Sequence, residues 1–132
     1  MPVDPKMRIL VVDDDFRVAA LHASVVDSMV GLVTVGSART VAEARTMLAD
    51  ADAAQAPVDL ALVDVYLPDG SGIDLVRNLR CDAFILGAAD DAANIRAGLA
   101  AGGFRPGDQR LQEGRAVAGD LVRFAGEAGG HR

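Results

Sequence analysis

The sequence predicts an α/β protein built on a parallel sheet. Short apolar runs recur along the chain: Ile9-Leu10-Val11-Val12, Leu32-Val33-Thr34-Val35, Val58 to Val63 and Ala83-Phe84-Ile85-Leu86. Stretches with helical spacing of apolar residues lie between them. Strands alternating with helices form βαβ units, whose strands run parallel and whose crossovers are right-handed.

Each element has its own reason. Residues 1–6 hold two prolines and read as a loose arm. Residues 7–13 read as a buried strand, a short β-branched run bounded by charge. Phe16 to Val30 reads as a helix with Val18, Leu21, Val25 and Met29 on one face. Asp15 is its expected N-cap and Gly31 its stop. Leu32 to Val35 is the second strand. Thr40-Val41-Ala42-Glu43 matches a capping box. It opens a helix to about Asp50, with Val41, Ala44 and Leu48 as its stripe. Val58 to Val63 is the third strand. Ile73 to Leu79 is a helix with Ile73, Val76 and Leu79 inward. Ala83 to Leu86 is the fourth strand. Asp90 or Asp91 caps a helix running to about Ala101.

The end departs from this rhythm. A fifth strand should follow Gly102, but Gly103-Phe104-Arg105-Pro106-Gly107-Asp108 is turn chemistry. Beyond it, Leu111, Val117, Leu121 and Phe124 form a helical stripe, so a helix is expected from about Gln109 to Ala125. Gly114 and Gly119 weaken it by about 1 kcal/mol each relative to Ala. Such an end leaves the fourth strand as an edge, and unpaired edges invite pairing with another chain. Self-association into a two-fold homodimer is therefore expected; the alternative is that the helix closes its own domain.

The chain has 132 residues, the size of one domain. Hydrophobic residues make up 51% and aromatics 4%, so the core is aliphatic. A net charge of −6 argues against binding a nucleic-acid backbone by this chain alone. Cys81 is the sole cysteine, so no intramolecular disulfide forms. The start lacks the apolar core of a signal peptide, and no stretch approaches a membrane span. A cytoplasmic protein with no membrane partner is expected.

Two of the apolar runs end in carboxylates. Val58 to Val63 leads into Asp64, and Ile9 to Val12 leads into Asp13-Asp14-Asp15. Adjacent parallel strands bring their C-terminal ends together, and open α/β sheets bind ligands there. Carboxylates crowded at that edge repel unless a hard cation such as Mg²⁺ sits between them. A solvated helix start is the plainer reading of the acidic triplet, and it suits Asp15. A turn-capping aspartate is the plainer reading of Asp64.

Leu10-Val11-Val12-Asp13-Asp14 and Asp64-x-x-x-Pro68-x-x-x-Gly72 resemble the receiver domain of a two-component response regulator. Ala88-Ala89-Asp90-Asp91 and Asn94-Ile95-Arg96 further resemble regulators of the citrate and malate sensing type. The resemblance reaches to about Gly102 and fades after it. It implies a flavodoxin-like (CheY-like) doubly wound sheet with strand order 2-1-3-4-5, here with strand 5 short or missing. That order sets the first strand beside the third. The resemblance makes Asp64 the phosphoacceptor for a sensor histidine kinase and the chain a signalling domain rather than an enzyme. By position it makes Asp14 a direct Mg²⁺ ligand, Asp13 a ligand through water and the Tyr66 backbone carbonyl a further ligand beside Asp64.

Two family positions are altered. Gly87 stands where the family has Thr or Ser, and the backbone of Ala88 is the expected phosphoryl contact beside it. The family's Lys has no clean counterpart. Arg105, before Pro106, is the nearest stand-in, and a loop arginine in solvent is its plainer reading. These departures favour a pseudo-receiver that signals by binding a partner, whereas the three carboxylates favour a phosphorylatable receiver. An Asp-nucleophile phosphatase would need a second Asp where Tyr66 stands. Output through transcription is implied by the resemblance, and DNA binding by this chain alone is not expected. His22 and His131 read as surface residues, Met29 and Met47 as core, and Asp69-Gly70 as a turn.

Overall fold

The computed structural model describes residues 6–86, 92–102, 117–118 and 121–122. Parallel strands β1 (Met7–Val12), β2 (Leu32–Ala38), β3 (Leu60–Asp64) and β6 (Asp82–Leu86) lie in the order β2-β1-β3-β6. Numbered among the parallel strands alone, that is the expected 2-1-3-4. Helices α1 (Phe16–Asp27), α2 (Val41–Ala53), α3 (Gly72–Arg77) and α4 (Ala92–Gly102) connect or flank them. None of the described helices is long and apolar enough to cross a membrane.

Strand β1 is central because it is apolar on both faces, as a sheet covered by helices requires. Ile9 and Val11 share one core with Leu60, Leu62, Phe84 and Leu86, closed by Val25 and Val26 of α1 and Ile95 and Leu99 of α4. Leu10 and Val12 share the other with Ala61, Val63 and Ala83, closed by Val41 and Ala44 of α2 and Leu75 and Val76 of α3. Each buried large aliphatic side chain contributes about 1.5–3 kcal/mol.

The registers set the site. Val12 of β1 lies beside Val63 of β3, and Asp64 lies beside Leu86 of β6. The residues after Val12 therefore emerge next to Asp64. Asp59 fixes the other end, since its carboxylate accepts the Arg8 N–H at 2.8 Å.

Helix α1 begins as expected, with the Asp15 carboxylate accepting from Arg17 N–H at 2.9 Å and Val18 N–H at 3.4 Å. It ends earlier, at Asp27, with Ser28 as its C-cap. Gly31 then takes φ +88°, a region that suits glycine. The inward face also differs. Ala19, His22, Val25 and Val26 are buried, whereas Leu21 is exposed. His22 is thus a core residue and not a surface one. In α3, Leu75 and Val76 face inward and Ile73 is exposed. The helix starts at Gly72, capped by Ser71, ends at Arg77 and buries Gly72, Leu75 and Val76.

The expected C-terminal helix is corrected where the structure describes it. Val117–Ala118 is strand β7 and Leu121–Val122 is strand β8. These pair antiparallel with each other, and β8 pairs antiparallel with β6 through Ala83↔Val122 and Phe84↔Leu121. Val117 and Val122 are β-branched and fit strands better than a helix already weakened by glycine. Strand β8 thus pairs with β6 at Ala83 and Phe84. The other residues of the expected helix lie outside the described ones.

Candidate functional site

Strand β3 delivers Asp64 half-buried at its C-terminal end, while the turn after β1 carries Asp13, buried, and Asp14, exposed. One carboxylate oxygen from each of the three lies within 4.8 Å of the others. Sequence reasoning placed these residues together, and the structure does the same. Asp15 stays apart as the helix cap.

The local hydrogen bonds hold this arrangement. Asp13 N–H donates to the Ala38 carbonyl at 2.9 Å, extending the β1–β2 pairing by one residue. The Asp13 carboxylate accepts the Asp15 N–H at 2.9 Å, and the Asp64 carboxylate accepts the Tyr66 N–H at 3.1 Å. Burial pushes the Asp13 carboxyl above its ordinary value. The Asp15 N–H works against that rise, and the negative charges of Asp64, Asp14 and Asp15 add to it. An oxygen-only donor set of this kind suits a hard divalent cation that keeps much of its water.

The segment after Asp64 is more ordered than turn residues alone suggest. Tyr66–Leu67 (β4) and Gly70–Ser71 (β5) form a small antiparallel hairpin. Gly72 N–H donates to the Val65 carbonyl at 2.9 Å. A Cβ at Gly72 would run into the Asp64 carbonyl oxygen. The glycine eight residues after the candidate acceptor is thus required by close backbone approach.

Asp69 has a role that sequence reading missed. Its carboxylate accepts from Val41 N–H at 2.8 Å and Ala42 N–H at 3.0 Å, at the start of α2. Thr40 accepts from Glu43 N–H at 3.0 Å, so the helix has two caps from different parts of the chain. The Val41 and Ala42 N–H bonds hold the Asp69 carboxyl below its ordinary value. A depressed folded-state value contributes stability above the unfolded value, and that contribution fades as pH falls through the folded one. We expect Asp69→Asn to lose less thermal stability on acidification than the parent does. Melting curves from neutral pH to the acid limb check this, and parallel declines would refute it.

Other expected site residues fall elsewhere. Gly87, Ala88 and Arg105 lie outside the described residues, as does His131. The Tyr66 side chain is exposed, and its N–H is spent on Asp64. Cys81 lies in a groove of about 410 Å³ between α2 and α3, lined also by Val58 ahead of β3. Desolvation pushes its thiol up to about 12.

Comparison with known proteins agrees with this geometry. The family model described as the response regulator receiver domain matches residues 9–105. The transcriptional regulatory protein DcuR of Shigella flexneri is 35% identical over 98 residues, covering 70% of this chain and 40% of that protein. CitT, a transcriptional regulatory protein of Bacillus subtilis (strain 168), is 31% identical over 101 residues, covering 73% of this chain and 42% of its own length. The chain thus spans less than half of these relatives. Among solved structures, the MaeR response regulator bound to beryllium trifluoride superposes with a TM-score of 0.54 at 30% identity, covering 70% of this chain and 76% of that one. The match begins within β1, takes in every carboxylate of the cluster and ends three residues beyond α4. With a flavodoxin-like sheet and an acidic site at its C-terminal edge, this chain belongs to the response regulator receiver domain family.

Proposed function

We propose that this chain takes a phosphoryl group onto Asp64 from a sensor histidine kinase, in a Mg²⁺-dependent reaction. The observation that carries the reading is the meeting of Asp13, Asp14 and Asp64 at one sheet edge. Asp14 and Asp64 would ligate the ion directly, Asp13 through water, and the Tyr66 carbonyl would complete the protein's share. Bound there, the ion offsets charge on the carboxylates and on the transferred group. Tyr66 N–H holds one Asp64 oxygen at 3.1 Å and thereby orients the carboxylate. Gly72 lets the chain pass close behind it.

The output is a change in partner affinity. Transcription is the natural endpoint, because the relatives that carry this domain are named transcriptional regulators. The cytoplasm, where a kinase's donor domain is available, is the place for it.

Incubation with phosphoramidate and Mg²⁺ tests the reading. The intact protein should gain one phosphoryl mass, and Asp64→Asn should gain none. A gain that survives in Asp64→Asn would reject the assignment. Mg²⁺ should also stabilise the fold by mass action, by about 1.4 kcal/mol at ten times its dissociation constant. Thermal melts across a Mg²⁺ titration check this. Asp14→Ala should abolish the rise, and an undiminished rise would place the ion elsewhere.

Gly87 favours a second reading, in which the fold binds its partner without phosphate control. The family's hydroxyl couples the phosphoryl group to the distal surface, and glycine carries none. A ligand shifts an equilibrium only by its differential affinity for the two states. Amide spectra with and without beryllium trifluoride should therefore differ near Asp64 and little around α4. Large changes at α4 would favour the phosphate switch.

A further inference from the structure

The proposed transfer brings an anionic donor to a site made of carboxylates. Three acidic side chains stand within 4.8 Å of one another. One divalent cation offsets two of those charges, and an incoming phosphoryl group adds roughly 1.5–2 more. The approach is therefore against negative charge unless a fixed cation stands nearby. The family's lysine has no clean counterpart in this chain, and Arg105, its nearest stand-in by sequence, lies outside the described residues; a cation among the described residues is therefore of interest.

A cleft of about 310 Å³ opens beside the cluster, lined by Asp14, Arg39, Thr40, Glu43 and Pro68. It joins the turn carrying Asp14 to the loop that follows Asp64, with the β2–α2 connection as its third wall. Arg39 is the basic residue of this lining, and it is exposed. Its backbone is anchored, because its N–H donates to the Glu43 carboxylate at 2.6 Å. Among the described residues its guanidinium enters no ion pair. Thr40, by contrast, spends its hydroxyl oxygen on the Glu43 N–H.

We propose that Arg39 binds the phosphodonor and supplies the positive charge that the family draws from its lysine. This rests on Asp64 being the acceptor. A guanidinium presents paired N–H donors that match phosphoryl oxygens. In the transfer, an Asp64 oxygen bonds to phosphorus as the bond from phosphorus to the donor nitrogen breaks. The electron pair leaves on that nitrogen, which takes a proton from water as the resulting hydroxide is neutralised by the buffer, and Arg39 remains protonated.

The test measures the rate of phosphoryl uptake from phosphoramidate with Mg²⁺ by intact-protein mass. Arg39→Ala should slow uptake about tenfold or more, the scale of one lost charge-assisted bond. Arg39→Lys should recover part of the rate. The parent rate should fall more steeply with ionic strength than the Arg39→Ala rate, because screening acts on the lost charge. Melting temperatures of all three should agree, since the side chain is exposed. Uptake by Arg39→Ala at the parental rate and salt dependence would overturn the role of Arg39 alone. Absence of uptake by the parent chain would overturn the acceptor reading and, with it, this one.

Discussion

Gly72→Ala is expected to destabilise the fold by about 3 kcal/mol, the upper part of the range for overpacking a tight site. The obstacle is backbone, because a Cβ there meets the Asp64 carbonyl oxygen, with a Val63 methyl behind it at 2.8 Å. Neither group can rotate away as the tip of a long side chain would. Relief requires β3 or the start of α3 to move, and either shift moves the candidate acceptor. The substitution should therefore lower thermal stability and phosphoryl uptake together. Denaturant melts and the mass assay check both. A stable Gly72→Ala chain with parental uptake would show that the close approach is dispensable.

Leu62→Ala carries the other large effect. Leu62 is fully buried in the middle of β3, beside Val11 on one side and Phe84 on the other. Truncation leaves a cavity in the core that α1 and α4 close, at a cost of about 2–5 kcal/mol. Against a typical total of about 5–15 kcal/mol, that is a large share. Urea unfolding should show a lower midpoint with an unchanged slope. A loss under about 1 kcal/mol would mean that the sheet is not packed as described.

The parts of the fold that were legible share one property: their signal is local and repeated. Apolar runs ending in aspartate marked β1 and β3, while the strand order that brings Asp13 and Asp14 to Asp64 came from the family resemblance. Asp15 and Thr40 announced α1 and α2 through caps that act within four residues. What was missed depends on distance or on very short elements. The second cap of α2 comes from Asp69, 28 residues from Val41, and no local pattern encodes it. The β4–β5 hairpin has two residues per strand, too few for any periodicity to register. His22 was read by its polarity, whereas burial followed its place on the Ala19, Val25 and Val26 face. In residues 117–122 the apolar residues were read as a helical stripe, whereas Val117–Ala118 and Leu121–Val122 pair as strands and β8 extends an existing sheet edge.

The tie between Asp69 and the first turn of α2 also makes a clock. The amide protons of Val41 and Ala42 are held by a carboxylate that belongs to the loop beyond Asp64. They exchange with solvent only when that loop swings away or the helix start opens. Their exchange rates, read against that of Glu43 with its own local cap, therefore time the opening of the acceptor loop from a helix that carries none of its carboxylates.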